Sequence, residues 1–258
     1  MTGSLQHFTS HDGLRIAFHV WGRANGRPSV VLHHGYGADS NVNWVANGVT
    51  AALSKAGRHV VAIDARGHGA SDKPHDSRYY GERRMAQDLL QLVDRLAAPR
   101  VDLVGYSMGS IVALLAASRD ARIRRLVIGG VGEAVVDLGG VDTRVLDNRA
   151  LAAALRCTTL PDDTPPQIAL FRRFTDALRA DRLALAAHAD VVHAEPIALA
   201  EIRAAALLIA GRDDALARHP ERLAASIPGA ELRYVAGDHF GTVLDPAFLS
   251  ALTSFVEV

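Results

Sequence analysis

The stretch Val101-Asp102-Leu103-Val104-Gly105-Tyr106-Ser107-Met108-Gly109-Ser110-Ile111-Val112-Ala113 decides how the rest of the chain is read. Its first four residues form a short, largely apolar run of the kind found in strands buried on both faces. The small and apolar residues after Gly109 suit a helix. Between them stands G-x-S-x-G. The pentapeptide alone means little, but strand before and helix after is the context a nucleophile elbow requires. In such a turn the serine sits on a strained backbone with its hydroxyl presented outward. The positions two residues to either side must be glycine, because a side chain there would collide with neighbouring backbone. The N-terminus of the following helix favours any negative charge that develops beside the serine.

Working outward, further apolar runs lie at Ser29-Val30-Val31-Leu32-His33 and at 59–63, 126–128, 207–210 and 231–235, with helical patterns at 44–56, 83–97, 107–118 and 246–256. Alternation of strand and helix predicts a doubly wound, mostly parallel α/β sheet. The N-terminal run 14–21 alternates instead and follows the turn signal His11-Asp12-Gly13, so it reads as a half-buried strand paired with residues 5–9. From 133 to 200 no strand pattern occurs. Helices are expected there at 141–155 and 166–187, so this segment reads as a helical cap inserted after the sixth strand. The expected organisation is therefore a core of 1–132 and 201–258 with a cap of 133–200.

The chain has 258 residues, 49% hydrophobic and 22% charged, which excludes a disordered or collagen-like protein. Basic and acidic residues number 28 each, and no basic stripe suits a phosphate backbone, so nucleic acid is not an expected partner. The densest basic cluster, Arg122-Ile123-Arg124-Arg125, reads as a solvated turn. A single cysteine, Cys157, excludes an intrachain disulfide, and no Cys/His spacing resembles a metal site. The first eight residues lack the charge and apolar pattern of a signal peptide, and no apolar run is long enough to span a membrane. A cytoplasmic protein is expected.

Three further segments carry chemistry. His34-Gly35-Tyr36-Gly37 follows the strand at 29–33, where a glycine-rich loop brings backbone N–H groups close to the elbow. Acyl transfer needs two such donors for its oxyanion, and the candidates are the N–H of Tyr36 and that of Met108. Serine also needs a base. Of twelve histidines, His239 follows the last strand and so lies at the carboxyl edge of the sheet, where sites in α/β folds gather. An acid after the preceding strand would orient it, and Gly211-Arg212-Asp213-Asp214 offers two. Adjacent side chains on an extended loop point in opposite directions, so only one of them faces the histidine. Gly130-Val131-Gly132-Glu133 lacks the third glycine of a dinucleotide loop, and no cofactor is expected.

With the order Ser, Asp, His in place, the chain resembles the α/β-hydrolase fold family over nearly its whole length. Asp64-Ala65-Arg66-Gly67-His68-Gly69-Ala70-Ser71-Asp72-Lys73-Pro74 strengthens the likeness, since it resembles the family's D-x-R-G-x-G-x-S-D-x-P turn, in which Asp64 and Arg66 are expected to tie down a loop and His68 to stay out of catalysis. The resemblance implies a serine hydrolase of the esterase, haloperoxidase-like or C–C hydrolase group. It also implies a triad of Ser107, His239 and Asp214, since relatives place the acid three residues after the strand-ending glycine. A small carboxylic ester or lactone is the expected substrate. A C–C hydrolase or perhydrolase with the same triad, or a catalytically silent receptor on the same fold, are the alternatives. Epoxide hydrolases and dehalogenases carry aspartate at the elbow, where this chain has Ser107. The chain departs from the pattern in placing Asp238 directly before His239, as a potential competing carboxylate. Leu170, Phe171, Phe174, Leu178, Leu183 and Leu185 are the expected lining of an apolar acyl pocket in the cap.

Overall fold

The computed structural model describes residues 3–257; Met1 and Thr2, the first residues of the stretch read for a signal peptide, and Val258 lie outside it. Eight strands form one sheet in the order β1-β2-β4-β3-β5-β6-β7-β8. Strands β1 (Ser4–Thr9) and β2 (Arg15–Trp21) make an antiparallel hairpin, and β2 also runs antiparallel to β4 (Val60–Ile63). The remaining ladders, through β3 (Ser29–His33), β5 (Val101–Tyr106), β6 (Ile123–Gly129), β7 (Ala205–Gly211) and β8 (Glu231–Val235), are parallel. This is the doubly wound α/β sheet that the alternating pattern predicts.

The central strands are buried along their whole length because helices cover both faces. On one face α2 (Glu82–Arg95) and α3 (Met108–Ala117) pack over Leu103, Leu126 and Leu208. On the other, α1 (Val49–Lys55) and α9 (Pro246–Glu257) cover Leu32, Val104 and Val127. Each such fully buried aliphatic side chain contributes about 1.5–3 kcal/mol. Helix α3 has no polar face: every residue from Met108 to Ala117 is buried, so it fills the space between sheet and α2.

Between β6 and β7 lie four helices, α4 (Ala134–Leu138), α5 (Asn148–Arg156), α6 (Pro166–Ala177) and α7 (Arg182–Ala189), and α8 (Pro220–Ala225) joins β7 to β8. Helices α5 to α7 share an apolar cluster of Leu151, Leu155, Ile168, Phe171 and Leu185. Two helical readings need correction here. The first, 141–155, begins only at Asn148, because the Asp142 carboxylate turns the chain by binding Arg144 N and Nε, and Asp147 caps α5 through Ala150 N–H. The second, 166–187, is two helices. Arg179 takes a positive φ of 53°, and Asp181 starts α7 by accepting from Leu183 and Ala184 N–H. The helix read at 44–56 likewise begins only at Val49, after a turn at Gly48 (φ 75°).

The cluster Arg122–Arg125 is not a solvated turn, since Ile123 already begins β6. Arg124 donates two 2.8 Å hydrogen bonds to Asp102, which is fully buried and also bound by the buried Arg58. Arg58 and Arg124 also reach Val256 O at the end of α9, so these cations fasten the C-terminal helix to the amino edge of the sheet. Asp64 and Arg66 do tie down a loop. Arg66 binds Asp88 and Asp12, and Asp64 accepts from Ser40 and Ala70 N–H. Burial alone would raise the Asp64 carboxyl, but its bond from His19, the nearby His34 and these N–H donors outweigh it and hold the group ionised. Among the described residues, no helix is long and apolar enough to cross a membrane.

Candidate active site

Ser107 follows the last residue of β5 and caps α3, with φ 53° and ψ −118°, a backbone conformation costly for any residue but glycine. The surroundings hold it there. Ser107 N–H donates to Gly129 O at 2.8 Å, and the buried Ser110 hydroxyl donates to the same carbonyl at 2.8 Å while accepting from Gly129 N–H at 3.0 Å. A Cβ on Gly105 would stand 2.3 Å from Gly109 O, and one on Gly109 would stand 2.2 Å from His33 O. Both glycines are therefore required by backbone contact. The missing side chain at Gly109 is also what lets the loop after β3 lie against the elbow.

The loop 34–37 is held by side chains on alternate N–H groups. Gly35 N–H donates to Asn43 Oδ1 at 2.7 Å and Gly37 N–H to His68 Nε2 at 3.1 Å. Tyr36 N–H, between them, has no acceptor among the described residues. Met108 opens α3, so its N–H has no partner within the helix. Sequence reading missed Asn43. It is buried on a single π-helical turn, Asn41–Val45, a rare geometry that recurs at functional sites. His68, buried and hydrogen-bonded to Gly37 and Arg66 O, serves the loop from behind.

His239 lies beyond β8. Its Nε2 is 2.9 Å from Ser107 Oγ, and its Nδ1 is 3.0 and 3.1 Å from the two oxygens of Asp214. Asp214 is buried and also accepts from Leu216 N–H at 2.9 Å, whereas the neighbouring Asp213 is exposed. The structure thus brings together Ser107, His239 and Asp214 and leaves Asp213 out. Asp238 is exposed and turned back on its own loop, accepting from Phe240 and Gly241 N–H, so it does not compete for His239. The Tyr106 hydroxyl donates to His239 O at 2.6 Å, and burial pushes the phenol's pKa well up, so it remains a donor.

A cavity of about 410 Å³ opens at this point, walled by Gly35, Tyr36, Phe171, Phe174, His239 and Leu244. Of the apolar side chains expected to line it, Leu170, Phe171 and Phe174 do so. Leu178, Leu183 and Leu185 do not. The break at Arg179 turns α7 away, leaving Leu183 half exposed and Leu185 inside the cluster of α5 and α6. The arrangement offers a hydroxyl beside an imidazole, a buried carboxylate behind the imidazole, and two N–H groups, which is the equipment for nucleophilic acyl transfer.

Comparison with known proteins gives consistent matches. A family model described as the alpha/beta hydrolase fold matches residues 28–190. The chain is 36% identical over 141 residues to an sn-1-specific diacylglycerol lipase, ABHD11, of Mus musculus, a match covering 54% of this chain and 42% of that one. The chain therefore spans less than half the length of this curated relative. Among solved structures, a hydrolase from Pseudomonas aeruginosa PA01 superposes with TM-score 0.74 at 28% identity, over 99% of both chains. The enol-lactonase from Burkholderia xenovorans LB400 superposes with TM-score 0.76 over 98% of this chain and 100% of its own; at 23% identity it speaks for the fold alone.

Proposed function

The chain belongs to the α/β-hydrolase fold family, and from that premise we propose that it is a serine hydrolase cleaving a carboxylic ester or lactone through an acyl-enzyme intermediate. The observation that carries the reading is the continuous line of hydrogen bonds from Asp214 through His239 to Ser107 Oγ, ending at the mouth of an apolar cavity.

In this mechanism Ser107 Oγ attacks the carbonyl carbon while its proton passes to His239 Nε2. The electron pair displaced from the C=O bond settles on oxygen, where Tyr36 and Met108 N–H receive it. Collapse of that intermediate breaks the bond to the alcohol, which leaves with the proton from His239. Water then loses a proton to the same nitrogen, attacks the acyl carbon and releases the acid, and the proton returns to Ser107. Asp214 holds the imidazole with Nδ1–H toward itself and stabilises the imidazolium form. The helical insertion, taken as a cap over residues 133–200, supplies the apolar wall that excludes bulk water from these steps.

Labelling with a fluorophosphonate tests the proposal. The intact protein should form a stable adduct at Ser107 and lose ester hydrolysis in proportion, and Ser107→Ala should do neither. Hydrolysis that survives complete labelling, or an adduct on another residue, would overturn it.

A further inference from the structure

A second, smaller cavity of about 40 Å³ also reaches Ser107, with His239 absent from its lining. Ser107, Met108 and Tyr36 form its near end, and Glu82, Asn148 and His188 its polar lining. Neither His239 nor the residues after it touch this space, whereas His239, Phe240, Val243 and Leu244 all line the outer cavity.

The polar end of the inner pocket is built from both parts of the chain. Glu82, the first residue of α2, is almost fully buried and accepts from His193 N–H at 2.6 Å. Burial would raise its carboxyl, but His188 and the His193 N–H outweigh that and keep it ionised. His188, on α7, is 1% exposed. Its Nε2 stands 3.4 Å from Glu82 Oε1, too far for a well-formed hydrogen bond, and its Nδ1 has no partner among the described residues. A buried imidazole left in this state costs free energy that a bound polar group would recover.

Resting on the hydrolase reading above, we propose that the inner pocket receives the acyl part of the substrate, which is a short hydroxyacyl group, and that the outer cavity receives a bulkier apolar alcohol. The leaving oxygen must take its proton from His239 Nε2, which places it on the outer side of the carbonyl carbon. The acyl substituent then points inward. At about 15 Å³ of such volume per water-sized group, the inner pocket admits about two or three non-hydrogen atoms. A hydroxyl fits its chemistry because it donates to the Glu82 carboxylate and meets His188 with its remaining hydrogen-bonding capacity. An alkyl end leaves His188 unpaired, and a terminal carboxylate meets Glu82 with like charge.

The test uses p-nitrophenyl esters in matched pairs, glycolyl against propionyl and 3-hydroxypropionyl against butyryl, each corrected for spontaneous hydrolysis. With the intact protein kcat/KM should fall by at least about tenfold from butyryl to octanoyl, and 2-naphthyl acetate should be a better substrate than phenyl acetate. In at least one matched pair the hydroxyacyl-to-alkyl ratio should fall about tenfold or more in His188→Leu, and also in Glu82→Gln, which preserves shape. Activity that rises toward octanoyl, or ratios that do not move in either variant, would overturn the inference. If the variants do not fold, the intact protein still decides it: the hydroxyacyl ester should exceed its alkyl partner in kcat/KM in at least one matched pair, and no preference in either pair would overturn the inference. Absence of both fluorophosphonate labelling and ester turnover would instead sink the hydrolase reading itself.

Discussion

Acidification from pH 7.5 to 5 should destabilise this protein well before its carboxylates are protonated, because burial holds three histidines neutral. His34 Nε2 accepts from Ala65 N–H while its Nδ1 faces Gly35 O, and His68 Nε2 accepts from Gly37 N–H while its Nδ1 faces Arg66 O. Protonating either ring at Nε2 removes the acceptor of a buried N–H. His33, fully buried, has its pKa pushed down to about 3 by burial and by the adjacent His34. Burial likewise lowers His34, and it lowers His68 well below the ordinary value, helped by neighbouring imidazoles. A histidine depressed on folding takes its proton only in the unfolded chain, so its contribution is complete above the ordinary value of about 6.5 and is lost as pH falls below it. For His33 alone the loss at pH 5 is about 2 kcal/mol. His19 acts in the opposite sense: its bond to Asp64 raises it, so its contribution is complete below about 6.5 and is lost as pH rises through the raised value, which leaves the slope between pH 6 and 5 untouched. Below pH 6 unfolding therefore takes up about one proton at His33, or about 1.4 kcal/mol per pH unit, with further uptake in the same direction at His34 and His68 and at His59 and His193, which burial also lowers. Urea unfolding followed by fluorescence, at half-unit steps of pH, measures the slope, with the buried Trp44 among the reporters. His68→Gln retains an acceptor for Gly37 N–H and should lower the slope by one proton. A slope below one proton between pH 6 and 5 would refute the argument that these rings are locked neutral.

Other outcomes follow from the site. Ser107→Ala should lower kcat by about 10⁴–10⁶, with the urea midpoint unchanged within error. Asp214→Asn should cost about 10⁴ in kcat by presenting the wrong tautomer partner, and Asp213→Asn less than about tenfold; steady-state kinetics of the pair checks the ranking. Asn43→Ala should lower kcat on a simple acetate by about tenfold while leaving Tm within a few degrees, because Gly35 N–H loses its acceptor and the Tyr36 donor loses its position. Gly109→Ala should yield little soluble protein or lose more than about 4 kcal/mol in urea unfolding, whereas Gly13→Ala, strained in φ but in open space, should lose only about 1–2 kcal/mol.

The sheet and the elbow were legible because their signals are local. A run such as Ser29–His33 declares burial on both sides, and Gly105 is demanded by Gly109 O four residues on, whereas the contact that demands Gly109 comes from His33 on a strand distant in sequence and was legible only through the pentapeptide pattern. The histidine could be chosen by its place after the last strand. The family resemblance pointed to Asp214 by its distance from Gly211, but the residues themselves did not separate it from Asp213, since both side chains sit on one loop and only its fold decides which is buried. Asn43, Glu82 and His188 were invisible for a different reason. Glu82 opens an amphipathic helix, where a carboxylate ordinarily serves the helix end in water. Its burial depends on the chain at His193, more than a hundred residues away. The break at Arg179 was missed because its neighbours are good helix formers, and only the capping by Asp181 hints at a new start.

The connection between β6 and β7 has a consequence for how this molecule can vary. The two strands are parallel neighbours, so whatever joins Gly129 to Ala205 must carry the chain back along the full height of the sheet. Such a return takes about a dozen residues at least. The helices that wall the cavities beside Ser107 are therefore also the tether that delivers β7 and β8 to the sheet. Shortening that tether below the minimum would strand Asp214 and His239 away from Ser107 altogether. Above it, the turns between these helices can change in length without moving the strand ends that carry Asp214 and His239, so, on the hydrolase reading, substrate preference can drift along this segment while the triad stays put.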